Sequence, residues 1–408
     1  MSDKKKVILV LIDALRSDYI TEEDSPFLYK FASNNRYCKK VTQSRSFCER
    51  AEIFTGLSPR ESGYFTAIGY GPEDSPYKGM KILSAFSLFE KICSKNRYYK
   101  AIKNRIIRWL MKNKKISFRS YSIPVKILKF FSLTEDMHDF REEGAFDGVE
   151  NIFKDCKNNG LNIYYDSFTA LNFTNNSTDE SRLQLVEKNI SSEFNLYLLY
   201  IGVMDSCAHS YGPQSSERKS ELKKLDSRLA KFHENITAQN KNAKFVFLGD
   251  HGMADVTTHV DAGQVIEVLA KENNLTLGKD FVYFLDSTML RIWYLNDRAK
   301  SLLDVRLKEN EQLTSTGEFV DEELAIKEEI PFPDERYGHS LWMANLGVLI
   351  YPDFFHNSKA YKGMHGYDIN DVSSKGTCII TSEEYEYVEN IKLTDVYDIL
   401  KKELNIAK

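Results

Sequence analysis

The sequence has little of what secreted or membrane-spanning proteins use. Its six cysteines are scattered over 408 residues without paired spacing, which favours reduced thiols over a disulfide framework. No stretch approaches the roughly 20 apolar residues that a bilayer-spanning helix needs. Lysines at positions 4 to 6 precede a short apolar run, as in a signal peptide, but Asp13 interrupts that run and no small-residue cleavage site follows. We therefore expect a cytoplasmic protein, with peripheral contact to a membrane left open.

Internal repeats, low-complexity tracts and a strong net charge are also missing. A net charge of −4 provides no overall attraction to nucleic acid, so no specific nucleic acid binding is predicted. The hydrophobic fraction of 42% and the charged fraction of 28% are ordinary for a globular protein. A chain of this length can bury one large core, or one core together with an inserted module.

Three short apolar runs each lead to an aspartate. The pairs are residues 7–12 with Asp13, residues 196–202 with Asp205, and residues 245–249 with Asp250. Such runs predict buried parallel strands. Strands alternate with helical stretches over residues 5–66 and 195–295, which predicts an α/β fold with a mostly parallel central sheet flanked by helices. Because ligands of such sheets bind beyond the carboxyl ends of the strands, we expect the aspartates at one functional edge.

Histidines complete this set of metal-type side chains. His209 follows Asp205 by four residues, His251 is adjacent to Asp250, and His365 lies in a loop with nearby glycines. Carboxylates mixed with imidazoles, without a cysteine cluster, suit zinc or a similar divalent ion at a catalytic centre. Taken singly, Asp250–His251 could be a hydrogen-bonded turn and Asp205 a helix N-cap. Because all six residues have local sequence surroundings that suit a metal ligand, the metal site is favoured over these separate explanations.

The segment 41–57 supplies a candidate nucleophile. Ser46 lies in a turn ahead of a predicted helix, whose N-terminus favours a developing anion. A metal-bound serine loses its proton far more readily than a free one, which makes Ser46 the predicted nucleophile. Without the metal ligands, an ordinary helix N-cap would be the better interpretation of this serine.

Residues 71–190 interrupt the α/β pattern and predict an inserted, mainly helical cap, with residues 1–70 and 191–408 as the catalytic domain. Between residues 91 and 130 there are thirteen Lys or Arg residues and no Asp or Glu. A helical wheel groups most apolar residues of this segment on one arc, namely Tyr98, Tyr99, Ile102, Ile106, Trp109 and Leu110. The helix is interpreted either as contacting an anionic membrane or substrate, or as packed on the core with a solvated basic face.

Together these motifs resemble the alkaline phosphatase superfamily, and most closely its type I phosphodiesterase / nucleotide pyrophosphatase family. The resemblance is carried by residues 11–16, the nucleophile loop ending at Thr55–Gly56–Leu57, and residues 205–213, 249–253 and 364–368. It implies an alkaline-phosphatase-like fold and two zinc ions, with other divalent metals also compatible. In that assignment Asp13, Ser46, Asp250 and His251 hold one zinc, and Asp205, His209 and His365 hold the other.

The activity implied by the resemblance is hydrolysis of phosphodiester or pyrophosphate bonds in an anionic substrate, through a phosphoseryl-type intermediate. Within the same chemistry the alternative is a phosphomonoesterase or a phosphoalcohol transferase. A sulfatase is a further alternative, because residues 46–50 have the register of the sulfatase nucleophile motif, with Cys48 in place of its proline. The non-enzymatic alternative is a membrane-surface binding protein that retains the fold.

One position departs from the family. Glu49 stands where diesterases usually present an asparagine that donates a hydrogen bond to phosphate. A carboxylate there would repel an anionic substrate unless it is protonated, paired or turned away. We expect Arg45 or Arg50 to pair with Glu49 or to take over the donor role, so the predicted catalytic group is Ser46, Arg45, Glu49 and Arg50.

Overall fold

A computed structural model of the chain describes residues 5–83, 85–87, 97–112, 122–134, 145–146, 148–165, 178–356 and 359–407. The strands are β1 (Lys6–Ile12), β2 (Arg36–Thr42), β3 (Ile68–Tyr70), β4 (Phe131–Leu133), β5 (Ile163–Tyr165), β6 (Leu196–Ile201), β7 (Ala243–Gly249), β8 (Ala254–Asp255), β9 (Thr258–Val260), β10 (Phe281–Asp286), β11 (Met289–Tyr294), β12 (Gly317–Phe319), β13 (Ser340–Ala344), β14 (Val348–Ile350), β15 (Gly363–Met364), β16 (Gly376–Ile380) and β17 (Glu386–Lys392). The helices are α1 (Pro26–Asn34), α2 (Glu49–Thr55), α3 (Pro59–Ser62), α4 (Arg97–Lys112), α5 (Ile152–Asn158), α6 (Asp179–Asn189), α7 (Val203–Tyr211), α8 (Ser216–Gln239), α9 (Ala262–Glu272), α10 (Asp297–Ala299), α11 (Val305–Lys308), α12 (Glu311–Thr316), α13 (Glu322–Lys327) and α14 (Asp395–Glu403). None of the helices in these ranges is long and apolar enough to cross a membrane.

The chain divides into two compact units. The first comprises Met1–Ser62, His138–Asp255 and Tyr361–Lys408, and the second comprises Gly63–Met137 and Val256–Ala360. These boundaries differ from the expected division into a catalytic domain and a 71–190 cap, and the role of that segment as a cap stays a prediction. One strand from the expected insertion, β5, pairs in parallel with β6 and so belongs to the central sheet of the first unit.

The first unit contains the predicted, mostly parallel central sheet. Its strand order is β17-β2-β16-β7-β1-β6-β5, in which only the pairings of β16 are antiparallel. Strand β1 lies between β7 and β6, and all of its side chains are buried. A strand that is buried on both faces consists of consecutive apolar residues. This is why the strand could be predicted from the sequence. The apolar side chains of α8 are buried in the core that this sheet shares.

The second unit contains a separate antiparallel sheet of order β10-β11-β13-β12. The sequence had suggested that the strands up to residue 295 would continue the parallel sheet, and this is wrong for β10 and β11. Only residues 287 and 288 connect these two strands. A link this short forms an antiparallel hairpin, whereas a parallel pair needs a crossover of a dozen or more residues.

Candidate metal centre and nucleophile loop

Two of the predicted ligand groups follow neighbouring parallel strands. Asp13 comes directly after β1, and Asp250 with His251 comes directly after β7. Because β1 and β7 pair in parallel, their carboxyl ends lie at the same edge of the sheet. The backbone N–H of Ala14 donates to Asp250 Oδ1 at 3.3 Å, which ties the two strand ends together.

Glycines allow the close approach of the loop after β7. A Cβ atom at Gly249 would lie 2.0 Å from the carbonyl oxygen of Leu15, and one at Gly252 would lie 2.0 Å from that of Ser373. Any side chain at either position would displace backbone. The glycines on both sides of Asp250–His251 are therefore required by packing.

The second pair of ligands lies on α7, which follows β6. Asp205 and His209 are one helical turn apart and share a face. The N-cap of α7 is Gly202, so Asp205 is not the N-cap residue that was one alternative. The helix instead presents a carboxylate and an imidazole together, with His209 Nε2 at 3.0 Å from Asp205 Oδ1.

A short strand pairing places His365 next to the other ligands. It follows β15, which pairs antiparallel with β8, just beyond the Asp250–His251 loop. The rings of His365 and His251 stack with centroids 3.9 Å apart. The structure thus brings together all six ligands, which are separated by up to 352 residues in the chain.

The ligand atoms form two groups of three, each with all atoms within 4.8 Å of one another. The groups are Asp13, Asp250 and His251, and Asp205, His209 and His365. Apart from Ser46, these are the two sets that the resemblance assigned to separate metal ions. A third group in the described residues joins Glu49 to His251 and His365 at the same spacing.

His209 illustrates how a ligand of this centre is oriented. Its Nδ1 lies 2.8 Å from the carbonyl oxygen of Gly363, and because a carbonyl only accepts, Nδ1 carries the proton. Its Nε2 faces Asp205 Oδ1, a buried oxygen that has no other hydrogen-bond partner within the described ranges. In the neutral imidazole two lone pairs face each other, an arrangement that a shared cation or a second proton stabilises.

His251 repeats this arrangement in the other group. Its Nδ1 lies 2.8 Å from the carbonyl oxygen of Gly252, and its Nε2 lies 3.0 Å from Asp13 Oδ1. Apart from this contact with His251, that oxygen has no hydrogen-bond partner in the part of the chain that the structure describes. A metal-bound histidine commonly donates its other ring N–H to a backbone carbonyl. The residues present therefore fit a divalent cation, and mixed nitrogen and oxygen donors suit zinc.

The pKa shifts of the buried carboxylates and of His251 also favour a bound cation. Burial raises the pKa of Asp250 to about 8 and that of Glu49 to about 7. Burial also acts to raise the pKa of Asp13, but the hydrogen bond and charge of His251 outweigh it and lower that pKa. Burial alone would lower the pKa of His251, yet the neighbouring carboxylates raise it well above its usual value. This buried cluster of carboxylates is stabilised by positive charge, which a divalent cation supplies.

Ser46 lies in the loop between β2 and α2 and is 2% exposed. The N-cap of α2 is Cys48, so the interpretation of Ser46 as an ordinary N-cap is wrong. The Ser46 hydroxyl instead accepts a hydrogen bond from the Cys48 backbone N–H at 3.4 Å. On either side of Ser46, the Phe47 ring packs edge-on against His365 at 5.4 Å, and Arg45 Nε donates to the Gly366 carbonyl at 3.4 Å. The loop is therefore anchored to the segment that carries His365.

The remaining predicted residues, Glu49 and Arg50, form the first turn of α2 and are buried. The positive charges of His251 and Arg50 act to lower the pKa of Glu49, although burial prevails. The charge of Arg50 thus acts on Glu49, and Arg45 Nε contacts the loop after His365. Which of the two arginines pairs with Glu49 or takes over the donor role stays a prediction. The Thr55–Gly56 motif is structural: Gly56 ends α2 in a left-handed conformation, with φ of 70°.

Sequence reasoning missed two residues that position the site. The hydroxyl of Tyr200 donates to Asp13 Oδ2, although Tyr200 lies in the apolar run of β6 and reads as a core residue. Arg16 donates to the carbonyl oxygen of Met253, and so holds the loop that carries His251. The only signal for Arg16 was its place in the motif after Asp13.

The structure is that of an α/β protein whose mostly parallel sheet carries a candidate metal centre of carboxylates and imidazoles at its carboxyl edge, beside a buried serine loop. A profile of one such family, type I phosphodiesterase / nucleotide pyrophosphatase, matches residues 7–368. The chain belongs to this family, as its motifs had indicated.

Curated relatives match over short segments. Ectonucleotide pyrophosphatase/phosphodiesterase family member 7 of Rattus norvegicus is 31% identical over 88 residues, which is 21% of this chain and 20% of the relative. GPI ethanolamine phosphate transferase 1 of Candida glabrata is 33% identical over 92 residues, or 22% of this chain and 9% of the relative. The chain thus spans a fifth or less of the length of these relatives.

Similarity to solved structures extends over nearly the whole chain. Murine ectonucleotide pyrophosphatase / phosphodiesterase 5, in complex with AMP, superposes with a TM-score of 0.67 at 16% identity, covering 99% of this chain and 96% of that one. The human protein gives the same TM-score and identity, with 98% and 95% coverage. This likeness confirms the expected fold and is consistent with an alkaline-phosphatase-like architecture.

Proposed function

We propose that the protein hydrolyses phosphodiester or pyrophosphate bonds in an anionic substrate, with two zinc ions and Ser46 as the nucleophile. The observation that carries this proposal is the pair of matching ligand groups beside the loop of Ser46. Family membership and the AMP complex of the murine relative favour a nucleotide-type phosphoester as substrate. A cytoplasmic location remains part of the proposal.

Bound zinc would supply positive charge to the phosphoryl oxygens and would lower the pKa of the Ser46 hydroxyl. The residues that would hold it are Asp13, Asp250 and His251 with Ser46 on one side, and Asp205, His209 and His365 on the other. Ser46 Oγ bonds to phosphorus while the bond to the leaving alcohol or phosphate breaks, and the Ser46 proton goes to that leaving group, directly or through solvent. Water then attacks the phosphoseryl group, and Ser46 regains its proton. Two in-line displacements give net retention at phosphorus.

Substrate preference tests this function. With zinc supplied, we expect cleavage of bis-p-nitrophenyl phosphate at least about tenfold faster, by kcat/KM, than of the corresponding monoester or sulfate ester. A chiral phosphorothioate diester gives the stereochemical course in the same assay. Faster sulfate cleavage would favour the sulfatase alternative, and inversion at phosphorus would rule out the phosphoseryl route.

Transfer to an alcohol is the second candidate, favoured by the match to the fungal ethanolamine phosphate transferase. In that case the alcohol in place of water attacks the phosphoseryl group. Adding glycerol to the diesterase assay should then divert product from the free phosphate ester to its glycerol ester. Unchanged partition as glycerol increases would leave hydrolysis as the reaction.

We also propose that Glu49 provides a carboxylate to the metal centre in place of the hydrogen-bond donor that its relatives use. Its carboxylate oxygen lies within 4.8 Å of ring nitrogens of both His251 and His365, where the two ligand groups meet. Burial disfavours the charged form of the Glu49 carboxylate, and a bound cation would offset that effect.

Glu49→Gln keeps the size of the side chain and removes its charge. We expect its zinc affinity, measured by competition with a chromogenic chelator, to fall by about 10- to 100-fold, as when a supporting ligand is lost. Glu52→Gln is the matched control, because Glu52 is buried in the same helix and its amide can still accept from Ser44 Oγ. Wild-type affinity in Glu49→Gln would exclude Glu49 as a ligand while leaving the two histidine-containing groups in place.

Peripheral contact with an anionic membrane through residues 91–130 also remains a proposal, and one helix of that segment supports it.

A further inference from the structure

Helix α4 exposes large apolar side chains on one face. Tyr98 and Trp109 are each 64% exposed and Ile102 is 57% exposed. Spacings of four and seven residues put these three side chains along one stripe of the helix. Arg105, which is also exposed, lies on the same stripe between Ile102 and Trp109.

The opposite side of α4 is buried. Lys103 is 3% exposed and Ile107 is 1% exposed. A helix packed on the core with a solvated basic face would bury its apolar arc. In the structure, Tyr98, Ile102 and Trp109 of that arc are exposed instead. The burial of Lys103 and Ile107 therefore leaves the stripe of Tyr98, Ile102 and Trp109 on the exposed side of α4.

The charged residues of the sequence segment that contains α4 are all basic. Residues 91–130 carry thirteen Lys or Arg residues and no acidic residue, although the whole chain has a net charge of −4. A segment with exposed aromatic and aliphatic side chains among basic ones matches the surface of a bilayer with anionic lipids. Tryptophan and tyrosine favour the headgroup region, the aliphatic side chain enters the acyl boundary, and basic side chains meet lipid phosphates.

We propose that α4 docks this protein on an anionic phospholipid membrane, with Tyr98, Ile102 and Trp109 inserted at the interface. A nucleic acid or another polyanion would satisfy the charge but gives no reason to expose Ile102, which has no aromatic face for stacking. The candidate metal ligands belong to the other unit, and the proposed docking uses none of them. Docking therefore persists in metal-free protein.

The distribution of tryptophans makes the proposal directly measurable. Of the three tryptophans, Trp293 and Trp342 are fully buried and Trp109 is exposed. With vesicles of phosphatidylcholine and phosphatidylglycerol in a ratio of about 7 to 3, we expect a blue shift of emission and co-sedimentation of the protein. Vesicles of phosphatidylcholine alone should give neither, and salt should weaken both effects.

Two variants locate the contact. Ile102→Ser and Trp109→Ser should each weaken binding to the anionic vesicles by at least about tenfold, because binding scales with the apolar area inserted. Val268→Ser is the matched control, since Val268 is exposed on α9, outside the basic segment. Emission of the buried tryptophans reports whether each variant is folded.

A measurement on the wild-type chain needs no substitution. Vesicles with brominated acyl chains should quench the Trp109 emission and leave the buried tryptophans unaffected. Absence of quenching, equal binding to both vesicle types, or unchanged binding of both α4 variants would overturn the proposal. If single-stranded DNA or polyphosphate shifts the Trp109 emission and vesicles do not bind, the partner of α4 is a polyanion and not a membrane.

Discussion

Replacing Ser46 with alanine is expected to lower the turnover of bis-p-nitrophenyl phosphate by at least about a thousandfold, since loss of a serine nucleophile usually has effects of this size or larger. The substitution removes the atom that would bond to phosphorus, which is also a proposed zinc ligand, and leaves the two groups of carboxylate and imidazole ligands unchanged. Water attacking directly would be the residual route. Stopped-flow and steady-state assays of the released nitrophenol measure the difference.

Ser44→Ala is the control for this substitution. Ser44 lies two residues away, and its hydroxyl donates to Glu52 at 2.9 Å. We expect its turnover to stay within about tenfold of the wild type, since only one supporting hydrogen bond is lost. Acid quenching of the wild-type reaction, followed by mass spectrometry, should find phosphate on Ser46. Near-wild-type activity of Ser46→Ala would refute its role as the nucleophile.

Removing metal from the protein is the second change with a large expected effect. Chelation should reduce diester turnover to below about 1% and zinc should restore it, because metal activation of nucleophile and substrate supplies several kcal/mol. Stability should fall too: a ligand at about a thousand times its dissociation constant stabilises the fold by about 4 kcal/mol. Thermal unfolding with and without zinc measures this difference.

Substitution in one ligand group at a time tests the number of ions. His209→Ala and His251→Ala lie in different groups, so each should lower the zinc content from two ions to about one, measured by elemental mass spectrometry. His259→Ala is the matched control, because His259 is exposed and belongs to the other unit. A single ion in the wild type would refute the two-zinc proposal. Two ions retained in both variants would refute the assigned ligands.

The main features of the site could be predicted because local patterns carry them. Strand β1 is buried on both faces, so it appears as an unbroken apolar run that ends just before Asp13. The same holds for β7 and Asp250. Parallel strands deliver their carboxyl ends to one edge, so two strand-end aspartates were enough to predict a shared site. The four-residue spacing of Asp205 and His209 then matched a single helix face.

Other features had no local signal. The short pairing of β15 with β8 brings His365 against His251, and two-residue strands leave no periodicity in a sequence. Tyr200 has the position of a core side chain, yet its hydroxyl reaches Asp13. The β10–β11 hairpin was missed because apolar strands in parallel and antiparallel sheets look alike when both faces are buried.

The sequence alone therefore determined the class of fold, the candidate ligand residues and the position of the serine loop, because each depends on neighbours along the chain. Only the tertiary structure decided which ligands face one another, that Glu49 lies where the two groups meet, and that α4 exposes its apolar stripe. The helical wheel of α4 defines two faces but does not say which one is buried. That choice depends on packing against distant segments, since burial is a property of the folded chain and not of its local pattern.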